Sequence, residues 1–286
     1  MENKKERKKV SDVTIALGQV SSKVGDKDHN IEVIRKITKQ AKGKKADLIA
    51  FPELSVTGYV VRDRAYELAE PVPDGPSVRK IEEIAKKENV HMIFGMIEKS
   101  AKASAVLHND AVLVGPKGYI GKYQKMYLPT HSVFEEKRYF RPGYQTPVFD
   151  TQIGKIGIAV CYDIYFPEVT RMLTLKGAKL IVYISASPSV RKGFFETLTA
   201  ARAIENTVFV AFVNLAGIQD GLQFWGGSRI IAPSGNPISQ ARYDEDDLIT
   251  ARINYSDLTR VQAWVPTLRD LRPEIFSSLK EAAENL

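Results

Sequence analysis

The stretch IGIAVCYDIYFPE, from Ile156 to Glu168, decides the fold class of this 286-residue chain. Its first five residues have the apolar character of a buried strand, and Pro167 followed by Glu168 is a typical helix start. Between strand and helix lies Cys161, the only cysteine in the sequence. Proteins built from alternating strands and helices gather their reactive groups in loops at strand ends. The stretch therefore predicts an α/β fold with a thiol at a strand end.

The same alternation extends over most of the chain in both directions. Strands are predicted at 13–20, 47–51, 90–97, 153–160, 180–184, 208–213, 228–231 and 248–253, with a hairpin between 106 and 122. Helices are predicted at 31–41, 77–89, 167–176 and 194–206, with Ser77 as the N-cap of the second. A hairpin is antiparallel whereas strand–helix–strand units are parallel, so we expect mixed sheets. Without a composition break, we expect one domain at 12–265, a basic tail at 1–11 and a C-terminal extension at 266–286.

Composition and charge exclude several classes of protein. The first nine residues hold five Lys or Arg against two Glu, and so account for three of the seven net positive charges. The remaining charges are mixed in sign along the predicted helices, unlike the one-sided basic surface of a nucleic-acid binder. No apolar run approaches the roughly 20 residues that span a bilayer, and no signal-peptide core follows the N-terminus. We therefore expect a cytoplasmic protein that binds neither nucleic acid nor membrane.

Three residues at predicted strand ends are candidates for chemistry. Glu53 follows a short buried strand, where a carboxylate packs poorly, although it is also compatible with a cap or a salt bridge. Lys125 follows the hairpin, where an exposed lysine would be ordinary. Cys161 precedes a helix N-terminus, whose dipole is expected to lower the pKa of the thiol, yet a lone cysteine on an apolar strand is more often an inert core residue. No one of these signals decides the function.

Together the three signals resemble a known family. The segments FPELSVTGY (51–59), GKYQKMYLP (121–129) and VCYDIYFPE (160–168) resemble the Glu, Lys and Cys signatures of the carbon–nitrogen hydrolase, or nitrilase-like, superfamily. FEEKRYFRPG (134–143), ARAIEN (201–206) and GGSRIIAPSGNPIS (226–239) extend the resemblance over about 13–252. It implies a four-layer αββα sandwich with two mixed β-sheets, in which Glu53, Lys125 and Cys161 meet at one end of the sheets.

The resemblance also implies a reaction. Cys161 is the expected nucleophile, Glu53 the general base, and Lys125 the oxyanion donor in hydrolysis of a small amide by water through a thioester. Glu136 aligns with a second glutamate that positions the lysine and the substrate. Because Glu135 is adjacent, that assignment is open by one residue, and a surface salt bridge with Arg138 is the alternative reading.

Substrate recognition is less determined by the sequence. Tyr59, Tyr162, Ser187 and Arg191 are the expected substrate-binding residues. A substrate carboxylate is a possible partner for four loop cations, although such cations are often simply solvated; they are Arg62, Arg64, Arg191 and Lys192. The family includes amidases, ω-amidases, carbamoyl hydrolases, nitrilases and glutaminase domains. The segment after the cysteine resembles the amidase branches, so we expect amides to be preferred over nitriles.

Two other functions remain open at this stage. A Cys–His hydrolase would use His131 or His108 as the base, and a non-catalytic interaction scaffold would leave the thiol unused. The four histidines are too scattered for zinc-ligand spacing, so we expect neither metal nor other cofactor. The family resemblance implies a homodimer or a larger homo-oligomer. Its expected contacts are the helix from Pro167 and the segment 201–206, with Phe194 and Phe195 nearby.

Overall fold

The computed structural model describes residues 12–103 and 105–285 as a layered α/β protein. The strands of this part of the chain are β1 (Asp12–Gln19), β2 (Leu48–Ala50), β3 (His91–Lys99), β4 (Leu107–Gly115), β5 (Gly118–Gln124), β6 (Val148–Thr151), β7 (Gly154–Val160), β8 (Leu180–Ser185), β9 (Phe209–Asn214), β10 (Ala216–Gln219), β11 (Leu222–Trp225), β12 (Arg229–Ile231), β13 (Pro237–Gln240) and β14 (Asp247–Asn254). Its α-helices are α1 (Lys27–Gly43), α2 (Ala65–Leu68), α3 (Pro76–Glu88), α4 (Glu136–Tyr139), α5 (Pro167–Leu175), α6 (Lys192–Asn206), α7 (Ser256–Trp264) and α8 (Glu274–Glu284).

Two six-stranded mixed sheets form the centre of the molecule. The first has the order β14-β1-β2-β3-β4-β5, and the second has the order β13-β12-β9-β8-β7-β6. In each sheet three parallel strands are extended on both sides by antiparallel strands: β1, β2 and β3 in the first sheet, β7, β8 and β9 in the second. The loops after β2 and β7 therefore lie at the carboxyl ends of parallel strands, which is where Glu53 and Cys161 occur.

The core consists of two layers outside the sheets and one between them. The sheets face each other through β1 and β4 of the first and β9 and β7 of the second. Helices α1 and α3 pack on the outer face of the first sheet through residues such as Ile34 and Ile81. Helices α5 and α6 cover the second sheet through residues such as Leu173 and Ala203. The four-layer αββα arrangement predicted from the sequence is confirmed.

The predicted elements are present, with two kinds of difference. Each predicted strand occurs within two residues of its expected ends, but β6, β10, β11 and β13 were not predicted because they are short and only partly apolar. The assignment of Ser77 as an N-cap is wrong. Helix α3 begins at Pro76 after Gly75, and the Ser77 hydroxyl donates to Glu70 Oε1 at 2.9 Å. A proline at the first helical position needs no N–H partner, so the N-cap is Gly75, two residues before Ser77.

The two ends of the chain differ in what the structure shows. The predicted basic tail, 1–11, lies outside the described residues. The C-terminal extension contains α8, whose residues are all exposed to solvent, including Phe276 at 42%. In the part of the chain that is described, no helix has the length and apolar content to cross a membrane.

Candidate active site

Cys161 lies in a sharp turn between β7 and α5. Strand β7 ends at Val160, and the chain passes directly into a 3-10 helix, Cys161–Tyr165, before α5 begins. Cys161 has φ of +46°, in the left-handed region that non-glycine residues rarely adopt. Such strained backbone is often found where a side chain must be aimed at a site. Here the left-handed backbone of Cys161 directs its thiol away from the end of β7. The residue is only 3% exposed.

Asp163 holds this turn in place. Its Oδ2 accepts hydrogen bonds from Val160 N at 2.9 Å and Tyr123 Oη at 2.8 Å, and its Oδ1 accepts one from Tyr127 N at 2.9 Å. Burial raises the pKa of Asp163 to about 6, and the hydrogen bond from Val160 N counteracts part of that effect. The side chain thereby ties the cysteine turn to the segment that carries Lys125.

Glu53 is fixed by three hydrogen-bond donors. Its Oε1 accepts from Asn109 Nδ2 and from Lys125 Nζ, both at 2.7 Å, and its Oε2 accepts from Ala186 N at 2.8 Å. The carboxylate is fully buried, so these donors replace the water it has lost. The turn after β2 also lies against β3 at Gly95. A Cβ at this position would come within 2.2 Å of the backbone nitrogen of Leu54, the residue after Glu53.

Lys125 lies between two carboxylates and is fully buried. Its Nζ donates to Glu53 Oε1 at 2.7 Å and to Glu136 Oε1 at 2.6 Å. Burial alone would lower the pKa of this ammonium, but the negative charges of Glu136 and Glu53 outweigh it and raise the pKa above its ordinary value. The site therefore contains a permanent buried cation.

Glu136, rather than Glu135, is the glutamate that contacts the lysine. Glu136 is 4% exposed and also accepts a hydrogen bond from the Tyr59 hydroxyl at 2.7 Å, whereas Glu135 is exposed. Burial raises the pKa of Glu136 to about 7, against the lowering effect of Lys125. The alternative of a surface salt bridge with Arg138 is wrong, because Arg138 pairs with Asp63 at 3.2 Å.

The expectation of a lowered thiol pKa is wrong for this resting structure. Burial raises the pKa of Cys161 well above its ordinary value, and the charge of Glu53 raises it further. The charge of Lys125 acts in the opposite direction but does not compensate. These close interactions dominate over the more distant end of α5. The resting thiol is neutral and needs a base to become a nucleophile.

The expected substrate-binding residues lie in different surroundings. Tyr59 belongs to the buried cluster through its hydrogen bond to Glu136. Ser187 is buried, and its hydroxyl has no hydrogen-bond partner among the described residues. Tyr162 is half-buried, with its ring centroid 5.3 Å from that of His131. Arg191 lies over the ring of Phe194 at 5.9 Å and contacts none of the buried ionised residues.

Three of the four loop cations are already engaged within the chain. Arg62 pairs with Asp220, and Arg64 lies 3.8 Å from Glu67. Lys192 lies over the ring of Tyr243, with its ammonium 3.3 Å from the centroid. In residues 12–103 and 105–285, Arg191 is the one cation of the four that neither forms an ion pair nor lies as close to an aromatic ring as Lys192 does. It is therefore the one most available to a substrate carboxylate.

The histidine alternative finds no support in the geometry. His108 Nδ1 is 2.9 Å from the backbone oxygen of Arg141, and His131 packs edge-on against Phe134. No hydrogen bond joins a histidine to Cys161 in the described part of the chain. That part also contains no group of three or more His, Cys, Asp or Glu side chains arranged to hold a metal ion.

Asn109 is a residue of the site that sequence reasoning missed. It lies on β4, and its side chain donates to Glu53 while its backbone oxygen accepts from Lys125 N at 2.9 Å. A signal was present, since Asn109 and Asp110 interrupt the apolar run of LHNDAVLV (107–114). Asn109 therefore links the two residues that follow β2 and β5.

Replacing Asn109 with alanine should lower kcat/KM by about 10- to 100-fold, the usual cost of losing a residue that orients a reacting group. The reason is that Glu53 Oε1 would keep only one of its two donors. Ammonia release under initial-rate conditions measures the effect. Asn236→Ala, the same substitution at an exposed position between β12 and β13, is the control and should leave the rate unchanged. An Asn109→Ala enzyme with normal kcat/KM would contradict this role.

With this geometry established, comparison with known proteins defines the family. The family model described as Carbon-nitrogen hydrolase matches residues 14–263. The chain belongs to the carbon–nitrogen hydrolase family. This confirms the membership predicted from the three motifs, and it makes the Cys, Glu and Lys cluster the natural candidate for the family's hydrolytic centre.

Relatives of this carbon–nitrogen hydrolase include both nitrilases and amidases. A nitrilase of Pyrococcus abyssi is 33% identical over 245 residues, covering 85% of this chain and 90% of the relative. Omega-amidase NIT2 of Xenopus tropicalis is 31% identical over 259 residues, covering 88% and 92%. A crystallised variant of the amidase from Nesterenkonia sp. AN1, with the acetamide moiety of fluoroacetamide on its active-site cysteine, has a TM-score of 0.82 and 26% identity, covering 95% of this chain and 98% of that one.

Proposed function

We propose that this carbon–nitrogen hydrolase cleaves a small amide to a carboxylate and ammonia through a thioester on Cys161. The observation that carries the proposal is the buried Lys125 between Glu53 and Glu136, beside a neutral thiol. Removing three ionisable groups from water costs several kcal/mol per ion, so packing alone gives no reason for the cluster. A base, a nucleophile and a fixed cation are the groups that amide hydrolysis requires.

The first half of the reaction forms the thioester. Glu53 takes the proton of Cys161, and the thiolate attacks the amide carbonyl carbon. The ammonium of Lys125 and the backbone N–H of Tyr162 stabilise the negative oxygen that develops on the tetrahedral adduct. When the adduct collapses, the C–N bond breaks and Glu53 returns its proton to the departing nitrogen. Ammonia leaves, and the acyl group remains on sulfur.

The second half releases the acid. Glu53 now takes a proton from water, and the resulting hydroxide attacks the thioester carbon. The C–S bond breaks, and the thiolate regains its proton from Glu53. In both halves the negative oxygen develops at the same place, so Lys125 serves twice without moving.

Glu136 and Tyr59 support the cation in this mechanism. Glu136 Oε1 accepts from both Lys125 and Tyr59, which fixes the ammonium relative to Glu53. Its second oxygen, Oε2, has no hydrogen-bond partner among the described residues and is free to accept from the substrate's amide N–H. A cavity of about 430 Å³ lined by both residues, among others, gives a small molecule access to this side of the cluster. Tyr162, Ser187 and Arg191 remain candidates for substrate contacts.

Amides should be hydrolysed with kcat/KM at least about tenfold above that of nitriles with the same carbon skeleton. An amide adduct places its charge on oxygen, which Lys125 is positioned to meet, whereas a nitrile develops charge on nitrogen and needs a proton donor there. The acetamide moiety on the active-site cysteine of the Nesterenkonia amidase supports a cysteine nucleophile in a site that admits a small amide. Ammonia release across matched amides, ω-amides, N-carbamoyl compounds and nitriles tests the proposal. Nitriles that match or exceed their amides would favour the nitrilase alternative.

We also propose that the active enzyme is at least a homodimer assembled through α5 and α6. Their outer faces expose large apolar side chains: Met172 37%, Leu175 53%, Phe194 54% and Ile204 46%. Phe195, which was expected in the same surface, is only 3% exposed and packs inside the protomer. Helix-to-helix contact between two copies would remove this apolar surface from water.

Light scattering should therefore give a mass of at least about twice the 31.9 kDa of one chain. Leu175→Glu combined with Ile204→Glu should yield a folded monomer, because two charges would be desolvated at each interface. Lys280→Glu, on the exposed helix α8, is the matched charge-change control. A wild-type protein that stays monomeric at working concentration would contradict the assembly.

A further inference from the structure

A second cavity adjoins the cysteine turn, and none of Glu53, Lys125, Glu136 and Cys161 lines it. Its volume is about 470 Å³. One wall is formed by Tyr127 and Phe166, whose rings are stacked with centroids 3.4 Å apart and planes within 6°. Tyr162, the residue after Cys161, also lines it and stands edge-on to Phe166 at 5.3 Å. Aromatic faces of this kind favour a flat, partly apolar ligand.

The lining of this cavity is positively charged. It includes His131, Lys137 and Arg141, and it includes no acidic residue. Within residues 12–103 and 105–285, no carboxylate lies within ion-pair distance of Lys137 or Arg141. The neighbouring Arg138 differs, because it pairs with Asp63 at 3.2 Å and does not line the cavity. Two permanent cations next to one cavity, neither of them ion-paired within the described part of the chain, favour an anionic ligand.

The backbone that carries Arg141 is fixed to the first sheet. Arg141 N donates to Leu107 O at 2.8 Å, and Arg141 O is 2.9 Å from His108 Nδ1. Two residues later, Gly143 N donates to Lys125 O at 2.8 Å. The base of the side chain is therefore anchored, while its guanidinium group makes no hydrogen bond within the described chain. Arg141 is exposed, and a guanidinium without a partner in the described chain, carried on a fixed backbone, is well suited to bind a carboxylate or phosphate in a bidentate manner.

We propose that this cavity is a second binding site, for a small anion with a flat aromatic body. The ring would lie against Tyr127 and Phe166, and the anionic group would bind Arg141 and Lys137. Because Tyr162 directly follows Cys161, a ligand here lies beside the nucleophile turn. The same chemistry is offered by the anionic end of an aromatic amide substrate and by a separate effector.

Isothermal titration with benzoate tests the site directly. Acetate supplies the charge without the ring, and benzyl alcohol supplies the ring without the charge. Benzoate should bind saturably and more tightly than either, since it uses both features of the cavity. Arg141→Gln combined with Lys137→Gln should weaken benzoate at least tenfold, whereas Arg138→Gln combined with Arg79→Gln, which removes the same charge outside the cavity, should not. Circular dichroism confirms that the variants are folded.

Inhibition kinetics then identify the source of the anion. Competition of benzoate with a small amide substrate assigns the cavity to the substrate's own anionic end, and a non-competitive effect or activation assigns it to a separate effector. Absence of saturable benzoate binding, or equal affinity in the double variant and the wild type, would overturn the proposal. Because binding is measured without turnover, this result is independent of whether the proposed amidase reaction is correct.

Discussion

Replacement of Cys161 with alanine is expected to reduce amide turnover by at least about 10⁴-fold, because the covalent intermediate forms on its sulfur. Folding should change little. The side chain is small, so its loss should cost no more than about 1 kcal/mol of unfolding free energy in a urea titration. Mass spectrometry of the acid-quenched wild-type enzyme should show an acyl adduct on the peptide that contains Cys161. The variant should show none.

Substitution of the general base, Glu53, provides a second test of the same mechanism. Glu53→Gln keeps the shape of the side chain but cannot take the thiol proton, so it should be nearly as severe. The double variant Cys161→Ala with Glu53→Gln should be no worse than the more severe single variant, since the two residues act as a unit. A Cys161→Ala enzyme that retains more than a trace of activity would refute the nucleophile assignment. If the losses of activity in the two single variants instead added up in the double variant, Glu53 would not act as a unit with Cys161.

Replacement of Lys125 with methionine is expected to affect both activity and stability. Turnover should fall by about 10²- to 10³-fold or more, the usual effect of losing one oxyanion donor. At pH 8 the unfolding free energy should fall by about 3–5 kcal/mol, because negative charge on the buried Glu53 and Glu136 would have no cation beside it. Urea titration followed by circular dichroism measures the second effect.

The loss of stability in Lys125→Met should depend on pH. Burial raises the pKa of Glu136 to about 7, above its value in the unfolded chain, and Lys125 counteracts that rise. Without the cation the folded-state pKa moves higher still. A group with a raised folded-state pKa contributes stability at low pH and loses it as the pH rises through that pKa. The stability deficit of Lys125→Met should therefore be smallest near pH 5 and grow toward pH 8.

A second substitution tests whether the buried charge of Glu136 causes the loss of stability in Lys125→Met. Adding Glu136→Gln to Lys125→Met removes one of the uncompensated buried charges and should restore part of the lost stability at pH 8. It should not restore turnover, because the oxyanion donor is still missing. Equal stability of the single and double variants at pH 8 would show that the buried charge of Glu136 is not the source of the deficit.

Much of the fold was determined locally by the sequence. Apolar runs such as 153–160 and 180–184 are typical of strands buried on both faces, so strands could be predicted there from the sequence. The three motifs around Glu53, Lys125 and Cys161 were enough to predict the family and the αββα layers. Short elements such as β6 and β13 escaped prediction because few of their residues are buried, and pairing with a neighbouring strand, rather than their own pattern, makes them strands.

The electrostatics of the site were decided by the tertiary structure alone. Proximity of Cys161 to the start of α5 suggested a lowered thiol pKa, but burial beside Glu53 raises it. The family resemblance favoured Glu136 but left the assignment open by one residue, and only its burial against Lys125 excludes Glu135. Asn109 and Glu53 are 56 residues apart, and no local pattern connects them. A pKa and a hydrogen bond depend on distance and solvent exposure, and both are set only when separate segments of the chain pack together.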